Sequence, residues 1–319
     1  MKKIAVLTTG GDAPGMNAAI RAVVRFATNN KIDVLGVFRG WWGLINEEIK
    51  LLDHRSVSGI INQGGTILKT TRCQEFKTKE GRERAFENIK KYAIDGLIVI
   101  GGNGSFRAAH EFYKEFKVPC IGIPASIDND INGIDVTIGL DTAINTALFA
   151  IDNIRDTATS MERIFVIEVM GRESGYIALQ VALAGGCEEA IISERKFDLN
   201  AICHEIVEGN IRGKASWIIV VAEGAGSAED ISKKITEITS LETRAVVLGH
   251  VQRGGRPTAF SRRLALTLGQ AAVGHLLKGE SDKAVALSNH EIITVDFEVA
   301  IQKKKLDVEK LYNAIKALT

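Results

Sequence analysis

Short apolar runs rich in β-branched residues alternate with amphipathic segments along this chain, and no other feature constrains its fold as strongly. The runs are predicted strands: Ile4–Leu7, Val34–Val37, Gly96–Ile100, Pro119–Ile123, Arg163–Val169, Ala190–Ser193, Trp217–Val221 and Ala245–Leu248. The segments between them are predicted helices: Asn17–Phe26, Phe106–Phe116, Thr142–Arg155, Ala201–Ile211, Glu229–Ile238 and Arg262–Leu277. This alternation predicts an α/β protein whose mainly parallel sheets carry helices on both faces.

The length and charge of the chain indicate how many domains it can form and which classes of partner it can bind. The chain has 319 residues, 45% of them hydrophobic, which is enough for two lobes of ordinary domain size. Forty Lys and Arg residues balance 39 Asp and Glu residues, so no overall field favours nucleic acid or an anionic membrane. The four cysteines form no C-x-x-C pair, and no apolar run approaches the ~20 residues of a membrane span. We therefore expect a cytoplasmic protein with reduced thiols that binds neither nucleic acid nor membrane.

Two glycine-rich loops each follow a predicted strand and open a predicted helix. They are Gly10–Asn17 and Gly101–Ser105. Glycine permits close backbone approach, and a helix N-terminus offers unpaired N–H groups to an anion. Each loop alone is also compatible with ordinary turn chemistry, and neither has the G-x-G-x-x-G spacing of nucleotide fingerprints. Two such loops on one sheet predict a polyphosphate site.

Two acids, Asp128 and Asp130, follow the predicted strand Pro119–Ile123 and are separated by one residue. In extended backbone both carboxylates would project to the same side. One would then coordinate magnesium while the other accepts a hydroxyl proton, as phosphoryl transfer requires. An Asx-type turn with two solvated acids is the alternative, and the segment alone does not decide between them.

Four arginines of the second half lie near predicted strand ends and turns: Arg163, Arg172, Arg244 and Arg253. The planar guanidinium group suits phosphate, so these positions indicate a phosphorylated substrate. His250 lies three residues before Arg253. A structural hydrogen-bonding role is the alternative for this histidine.

Five motifs occur in an order and spacing typical of one family: Gly10–Asn17, Gly101–Ser105, Pro124–Asp130, Met170–Arg172 and Gly249–Gly255. Over essentially its whole length the chain resembles the bacterial ATP-dependent 6-phosphofructokinases of the phosphofructokinase A type. The resemblance implies a larger ATP-binding lobe of residues 1–138 and 251–303. It also implies a smaller sugar-phosphate-binding lobe of residues 139–250 and 304–319. The implied reaction is phosphorylation of fructose 6-phosphate at its 1-hydroxyl to give fructose 1,6-bisphosphate, a step of glycolysis.

The resemblance also implies roles for single residues. Asp128 looks like the general base and Arg172 like a stabiliser of the transferring phosphoryl group, together with Gly11 and with Ser126, which stands where the family usually has threonine. The implied ATP contacts are Gly11, Arg72, Cys73, Gly102, Asn103, Gly104 and Ser105, with Mg²⁺ at Asp130 and Asn103. The implied sugar-phosphate contacts are Ser126, Asp128, Asp130, Met170, Gly171, Arg172, Glu223, His250 and Arg253, joined by Arg163 and Arg244 of a neighbouring subunit. A homotetramer is thus implied.

An allosteric site for ADP or phosphoenolpyruvate is implied as well. Its cations would be Arg21, Arg25, Arg155, Arg212 and Lys214, with Glu188 near a bound cation. His54 occupies the place of a family arginine, with Arg55 beside it. The resemblance therefore leaves the identity of the effector open.

Departures from the family keep two alternatives open. Asn103 stands where the family places an aspartate that helps to hold magnesium, and the lost charge should weaken capture of metal and nucleotide. A catalytically weak regulatory paralogue that binds sugar phosphate or nucleotide is therefore the first alternative. Pyrophosphate or mixed-donor use is the second, although pyrophosphate users typically carry Asp at the position of Gly104 and Lys at that of Ala125. Tyr176, Arg256 and Ser261 also depart from the family, with no role assigned.

Overall fold

The computed structural model describes residues 1–319, which divide into two compact units. Unit 1 comprises Met1–Thr142 and Arg253–Lys304, and unit 2 comprises Ala143–Gln252 and Lys305–Thr319. Each unit contains its own sheet flanked by helices, which confirms the predicted fold class. The assignment of one ligand to each unit stays a prediction.

The twelve strands are β1 Lys3–Thr8, β2 Asp33–Val37, β3 Ile49–Leu52, β4 Gly96–Gly101, β5 Cys120–Ser126, β6 Ile138–Gly139, β7 Ile164–Val169, β8 Glu189–Ile191, β9 Trp217–Ala222, β10 Thr243–Val247, β11 Lys283–Ser288 and β12 Glu291–Asp296. The eleven α-helices are α1 Met16–Asn29, α2 Gly40–Ile45, α3 Lys79–Lys91, α4 Asn103–Phe116, α5 Leu140–Met161, α6 Tyr176–Ala184, α7 Leu199–Ile211, α8 Ala228–Thr239, α9 Ala259–Leu277, α10 Phe297–Ala300 and α11 Val308–Leu318. Two 3₁₀ turns, Glu75–Lys77 and Gly249–Arg253, complete the elements.

The sheet of unit 1 has the order β12-β11-β5-β4-β1-β2-β3, with β6 paired beside β5. Its central strands are parallel, and β4 is buried along its whole length. Strands covered on both faces read as continuous apolar runs, which is why the sequence predicts β1, β4 and β5. The sheet of unit 2 has the order β10-β7-β9-β8 and is parallel throughout.

The C-terminal helix α11 belongs to unit 2 because it is attached to a buried acid of β8. Glu189 is 4% exposed, and its Oε2 accepts hydrogen bonds from Tyr312 Oη at 3.0 Å and Lys316 Nζ at 3.2 Å. Burial raises the pKa of Tyr312 to about 12, so the phenol stays protonated and donates. A buried carboxylate with two donors is stable where an unpaired one is not.

None of the helices combines the length and the apolar character that crossing a membrane requires.

Candidate active site

The strand order of unit 1 reverses between β1 and β4. From β1 the chain passes through α1 to β2 on one side, and from β4 it passes through α4 to β5 on the other. In open α/β sheets the carboxyl ends of strands at such a reversal form a ligand crevice. Both glycine-rich loops predicted from the sequence lie at this point.

The two loops touch each other directly. Ser105 Oγ donates a hydrogen bond of 3.0 Å to the carbonyl oxygen of Thr9, and this contact is buried. A methyl group at Gly101 would lie 2.4 Å from Ser105 Oγ and 2.5 Å from that carbonyl oxygen. Glycine at position 101 therefore permits the close approach of the loops.

The helices that open from these loops lack side-chain caps. The residues before α1 and α4 are Gly15 and Gly102, and no side chain accepts a hydrogen bond from either first turn. Five other helices are capped by side chains, those of Thr78, Asp198, Ser227, Thr258 and Asp307. In these first turns Met16 N donates to Ala13 O and Ser105 N donates to Gly102 O. The other first-turn N–H groups of α1 and α4 remain available to an anion.

The Asp128–Asp130 segment does not have the extended backbone that the sequence predicted. The strand β5 ends at Ser126, and Asn129 adopts a left-handed conformation with φ of 51°. Asn129 is fully buried, and its Nδ2 donates a 3.0 Å hydrogen bond to Asp135 O. The prediction that both carboxylates share one side because the backbone is extended is therefore wrong, since the twofold alternation ends where the strand does.

Ser126 connects the acidic bend to the second glycine-rich loop. Its Oγ accepts a hydrogen bond from Asp128 N at 3.2 Å and donates one to Asp130 Oδ1 at 3.1 Å. A methyl group at Gly102 would lie 3.8 Å from Ser126 Cβ. Asp128 and Asp130 are both half-buried. Both acids therefore lie beside the start of α4.

The metal donors predicted from the sequence are one carboxylate, Asp130, and one amide, Asn103 at the start of α4. No group of three His, Cys, Asp or Glu side chains is placed to hold a metal ion by itself. Magnesium keeps several waters and often takes phosphate oxygens alongside one or two carboxylates. This donor set fits Mg²⁺ that arrives with a nucleotide.

Arg253, predicted to contact the sugar phosphate, lies in unit 1 against the first glycine-rich loop. Its Nη1 donates a 3.3 Å hydrogen bond to Asp12 O. A methyl group at Gly11 would lie 2.7 Å from the same nitrogen. The guanidinium group thus contacts the loop that the sequence assigns to ATP.

The segment that carries Arg72 and Cys73 lies beside the same loop. Thr70 Oγ1 donates a 2.7 Å hydrogen bond to Gly10 O. Arg72 is exposed, whereas Cys73 is half-buried and packs against the apolar core. Burial raises the pKa of the Cys73 thiol, so it is a neutral contact surface. Gly104, in contrast, is exposed on α4.

In unit 2, predicted sugar-phosphate residues follow two neighbouring parallel strands. Glu223 N donates to Val169 O at 2.9 Å, and Gly224 N donates to Gly171 O at 3.3 Å. These bonds bring Met170–Arg172 and Glu223 together after β7 and β9. Arg172 and Glu223 are exposed, whereas Met170 and Gly171 are buried.

Gln252 is a positioning residue that the sequence analysis missed. It is fully buried, and its Oε1 accepts a 2.8 Å hydrogen bond from Met170 N. It thereby ties the 3₁₀ turn that carries the exposed His250 to the end of β7. In the sequence, only its position between two predicted sugar-phosphate contacts, His250 and Arg253, indicated a role for Gln252.

Arg163 and Arg244 lie at the opposite, amino-terminal end of this sheet. Arg163 Nε contacts Glu242 Oε2 at 2.8 Å, and Arg244 also pairs with Glu242. Hydrogen bonds from these two arginines lower the pKa of the Glu242 carboxyl. A six-residue strand spans about 20 Å, so these arginines do not join Arg172 and Glu223 of their own chain.

The predicted effector residues of unit 1 lie on α1 and after β3. Arg21 and Arg25 are one helical turn apart, and neither forms an ion pair with a carboxylate. Burial and the charge of Arg25 lower the pKa of Arg21. His54 and Arg55 are exposed in a turn.

The predicted effector residues of unit 2 form a second group. Lys214 Nζ lies 3.0 Å from Glu188 Oε1, and Glu188 is 6% exposed. Arg155 Nη2 donates to Gly186 O at 2.9 Å and also to Gly185 O. Arg212 is exposed after α7.

Comparison with known proteins identifies relatives along the whole chain. The family model named Phosphofructokinase matches residues 3–276. An ATP-dependent 6-phosphofructokinase of Thermotoga neapolitana is 52% identical over 312 residues, which cover 98% of each chain. One of Bacillus subtilis is 50% identical over 319 residues and covers 100% of each.

Solved structures show the same fold. Phosphofructokinase from Saccharomyces cerevisiae matches with a TM-score of 0.89 and 34% identity, covering 100% of this chain and 48% of that one. This chain thus spans about half the length of the Saccharomyces chain. A pyrophosphate-dependent phosphofructokinase from Marinobacter aquaeolei, 22% identical with a TM-score of 0.87, shows likeness of fold alone. The family predicted from the sequence is confirmed: this chain belongs to the phosphofructokinase family.

Proposed function

We propose that this chain is an ATP-dependent 6-phosphofructokinase that converts fructose 6-phosphate to fructose 1,6-bisphosphate in glycolysis. The observation that carries the proposal is the pair of uncapped helix starts, α1 and α4, at the strand reversal beside the Asp128–Asp130 bend. Close relatives that cover the full chain carry the same activity in their names. As a glycolytic enzyme it would act in the cytoplasm.

In the proposed reaction Asp128 is the general base. Its carboxylate accepts the proton of the sugar 1-hydroxyl while the hydroxyl oxygen bonds to the γ-phosphorus of ATP. The bond from that phosphorus to the β,γ-bridging oxygen breaks, and ADP leaves. Ser126, the N–H of Gly11 and Arg172 would stabilise the charge on the transferring group.

The nucleotide would lie along the contacts predicted from the sequence. Its phosphates would contact the starts of α1 and α4, and the segment with Arg72 and Cys73 would contact the rest of the nucleotide. Asp130 and Asn103 would hold Mg²⁺, which neutralises phosphate charge when bound. Two uncapped helix starts and a carboxylate beside one of them support this arrangement.

The sugar phosphate would contact Met170, Glu223, His250 and Arg253. Arg163 and Arg244 would come from a neighbouring subunit of a homotetramer. Their position at the amino-terminal end of the sheet supports a role outside their own chain's site. Allosteric binding of ADP or phosphoenolpyruvate is supported by Arg21 and Arg25, two neighbouring cations that no carboxylate neutralises.

A panel of phosphate donors tests the proposed function. With fructose 6-phosphate as acceptor, we expect turnover with MgATP and less than about a hundredth of that rate with pyrophosphate, because Gly104 and Ala125 lack the side chains typical of pyrophosphate users. Steady-state rates with ATP, GTP and pyrophosphate measure this. Equal rates with pyrophosphate would contradict ATP specificity.

Asn103→Asp tests the metal site. The added carboxylate should lower the Mg²⁺ concentration for half-maximal activity by about tenfold, because a charged ligand replaces a neutral one. Asn30→Asp, an exposed change in the same unit, controls for added charge and should leave this concentration unaltered. A parent chain without activity that Asn103→Asp restores would instead favour a catalytically weak regulatory paralogue.

A further inference from the structure

We propose that Asn17 is a positioning residue for the nucleotide side of this site, because it holds segment 63–73 against the first glycine-rich loop. The inference rests on the proposed function only for its kinetic consequence. Asn17 is the second residue of α1 and only 1% exposed. Asn17 closes the first glycine-rich loop, Gly10–Asn17, but its side-chain amide bonds to protein backbone.

The amide of Asn17 makes three hydrogen bonds to the backbone of this segment. Its Nδ2 donates to Gln63 O at 3.2 Å and to Gly64 O at 3.1 Å. Its Oδ1 accepts from Ile67 N at 2.7 Å. Both amide hydrogens and the carbonyl oxygen are thus used, and no smaller polar side chain reproduces the set.

Segment 63–73 depends on such contacts because it contains neither helix nor strand. Farther along it, Thr8 Oγ1 donates to Lys69 O at 2.9 Å. Thr70 Oγ1 donates to Gly10 O at 2.7 Å. Side chains thus attach the segment to β1 and to its loop, and Asn17 of α1 supplies the attachment at its start. One backbone hydrogen bond, from Arg39 N to Leu68 O at 2.8 Å, holds its middle.

This attachment has a functional consequence because the segment ends at Arg72 and Cys73, the predicted ATP contacts. The same helix turn that offers its N–H groups to phosphate carries Asn17. The Asn17 amide thus fixes the start of the segment relative to the phosphate contacts, and Thr8 and Thr70 fix its later part. Loss of the amide should release the nucleotide contacts more than those of the sugar phosphate.

Hydrogen exchange and kinetics of Asn17→Ala test the proposal. We expect amide exchange in residues 63–73 to accelerate at least about tenfold, because three hydrogen bonds to this segment are lost. KM for ATP should rise about tenfold or more, and KM for fructose 6-phosphate by less than about threefold. A purely structural defect would not separate the two KM values.

Asn88→Ala is the matched control. Asn88 is 7% exposed in the same unit, and its Nδ2 donates to Leu44 O at 2.9 Å and Ile45 O at 3.0 Å. It anchors the end of α2 instead of segment 63–73. We expect it to lower global stability without accelerating exchange in residues 63–73.

The proposal would be overturned if amide exchange in residues 63–73 were as slow in Asn17→Ala as in the parent chain. An equal rise in the KM values for ATP and fructose 6-phosphate would also overturn it. If the parent chain is inactive with every phosphate donor, the proposed kinase function is wrong. The exchange rates still test the positioning role of Asn17 in that case. If Asn17→Ala does not fold, Asn17→Asp keeps an oxygen that accepts from Ile67 N and removes the donors to Gln63 O and Gly64 O. It should accelerate exchange in the same residues, and unchanged exchange there would also overturn the proposal.

Discussion

Replacing Asp128 with Ala or Asn is expected to lower kcat by about a thousandfold while binding of fructose 6-phosphate and ATP persists. A positioned general base contributes a factor of about 10² to 10⁴, and neither replacement accepts a proton. Asn129 and Ser126 hold the bend through contacts that do not require the Asp128 carboxylate. Steady-state kinetics and equilibrium binding of each substrate measure the effect.

Asp135→Asn is the control for charge in the same loop. Asp135 is exposed, and its Oδ2 accepts a 3.1 Å hydrogen bond from Ser288 Oγ. Its kcat should stay within about twofold of the parent. Full turnover in Asp128→Asn would refute the role of general base, and loss of substrate binding in that variant would indicate a structural role instead.

Gly101→Ala is expected to have the second largest effect, because its methyl group would force the two glycine-rich loops apart. The new carbon would lie 2.4 Å from Ser105 Oγ and 2.5 Å from Thr9 O, so the buried bond between them must break. We expect the free energy of unfolding to fall by about 3 kcal/mol. KM for ATP should rise more than about tenfold, since both helix starts shift.

Gly104→Ala provides the steric control for stability. Gly104 is in the first turn of α4, and apart from its chain neighbours and the backbone of its own helix no heavy atom lies within 4 Å of a methyl group there. Alanine favours helix by up to about 1 kcal/mol over glycine, so the free energy of unfolding should stay equal or rise. Chemical denaturation of both variants measures the difference, and equal stability of Gly101→Ala and the parent would contradict the predicted clash.

Much of the fold was readable from the sequence because the central strands are buried on both faces. β1, β4 and β9 appear as uninterrupted apolar runs, and their predicted bounds lie close to those observed. The edge strands β3 and β12 were missed, since they are partly exposed and pair antiparallel with a single neighbour. A strand with one solvent-facing side has no continuous apolar run.

The six predicted helices are present as α1, α4, α5, α7, α8 and α9, but others were missed. α3 is largely charged, and its buried face consists of small or polar residues such as Gly81, Ala85 and Asn88 together with Ile89. Its contacts with the rest of unit 1 exist only after folding. α11 was likewise missed, although its attachment to Glu189 is clear in the structure.

The sequence by itself determined the α/β class, the family, the two glycine-rich loops and the identity of the two acids, because these depend on residue type and local order. Only the tertiary structure decided that Asn129 bends the acidic segment, that Ser126 links it to the start of α4, and that Arg253 contacts the first loop. Those contacts join residues that are distant in sequence or depend on a backbone angle. The local sequence pattern predicts neither the contacts between distant residues nor the backbone angle at Asn129, because both depend on how the strands and loops pack in the folded chain.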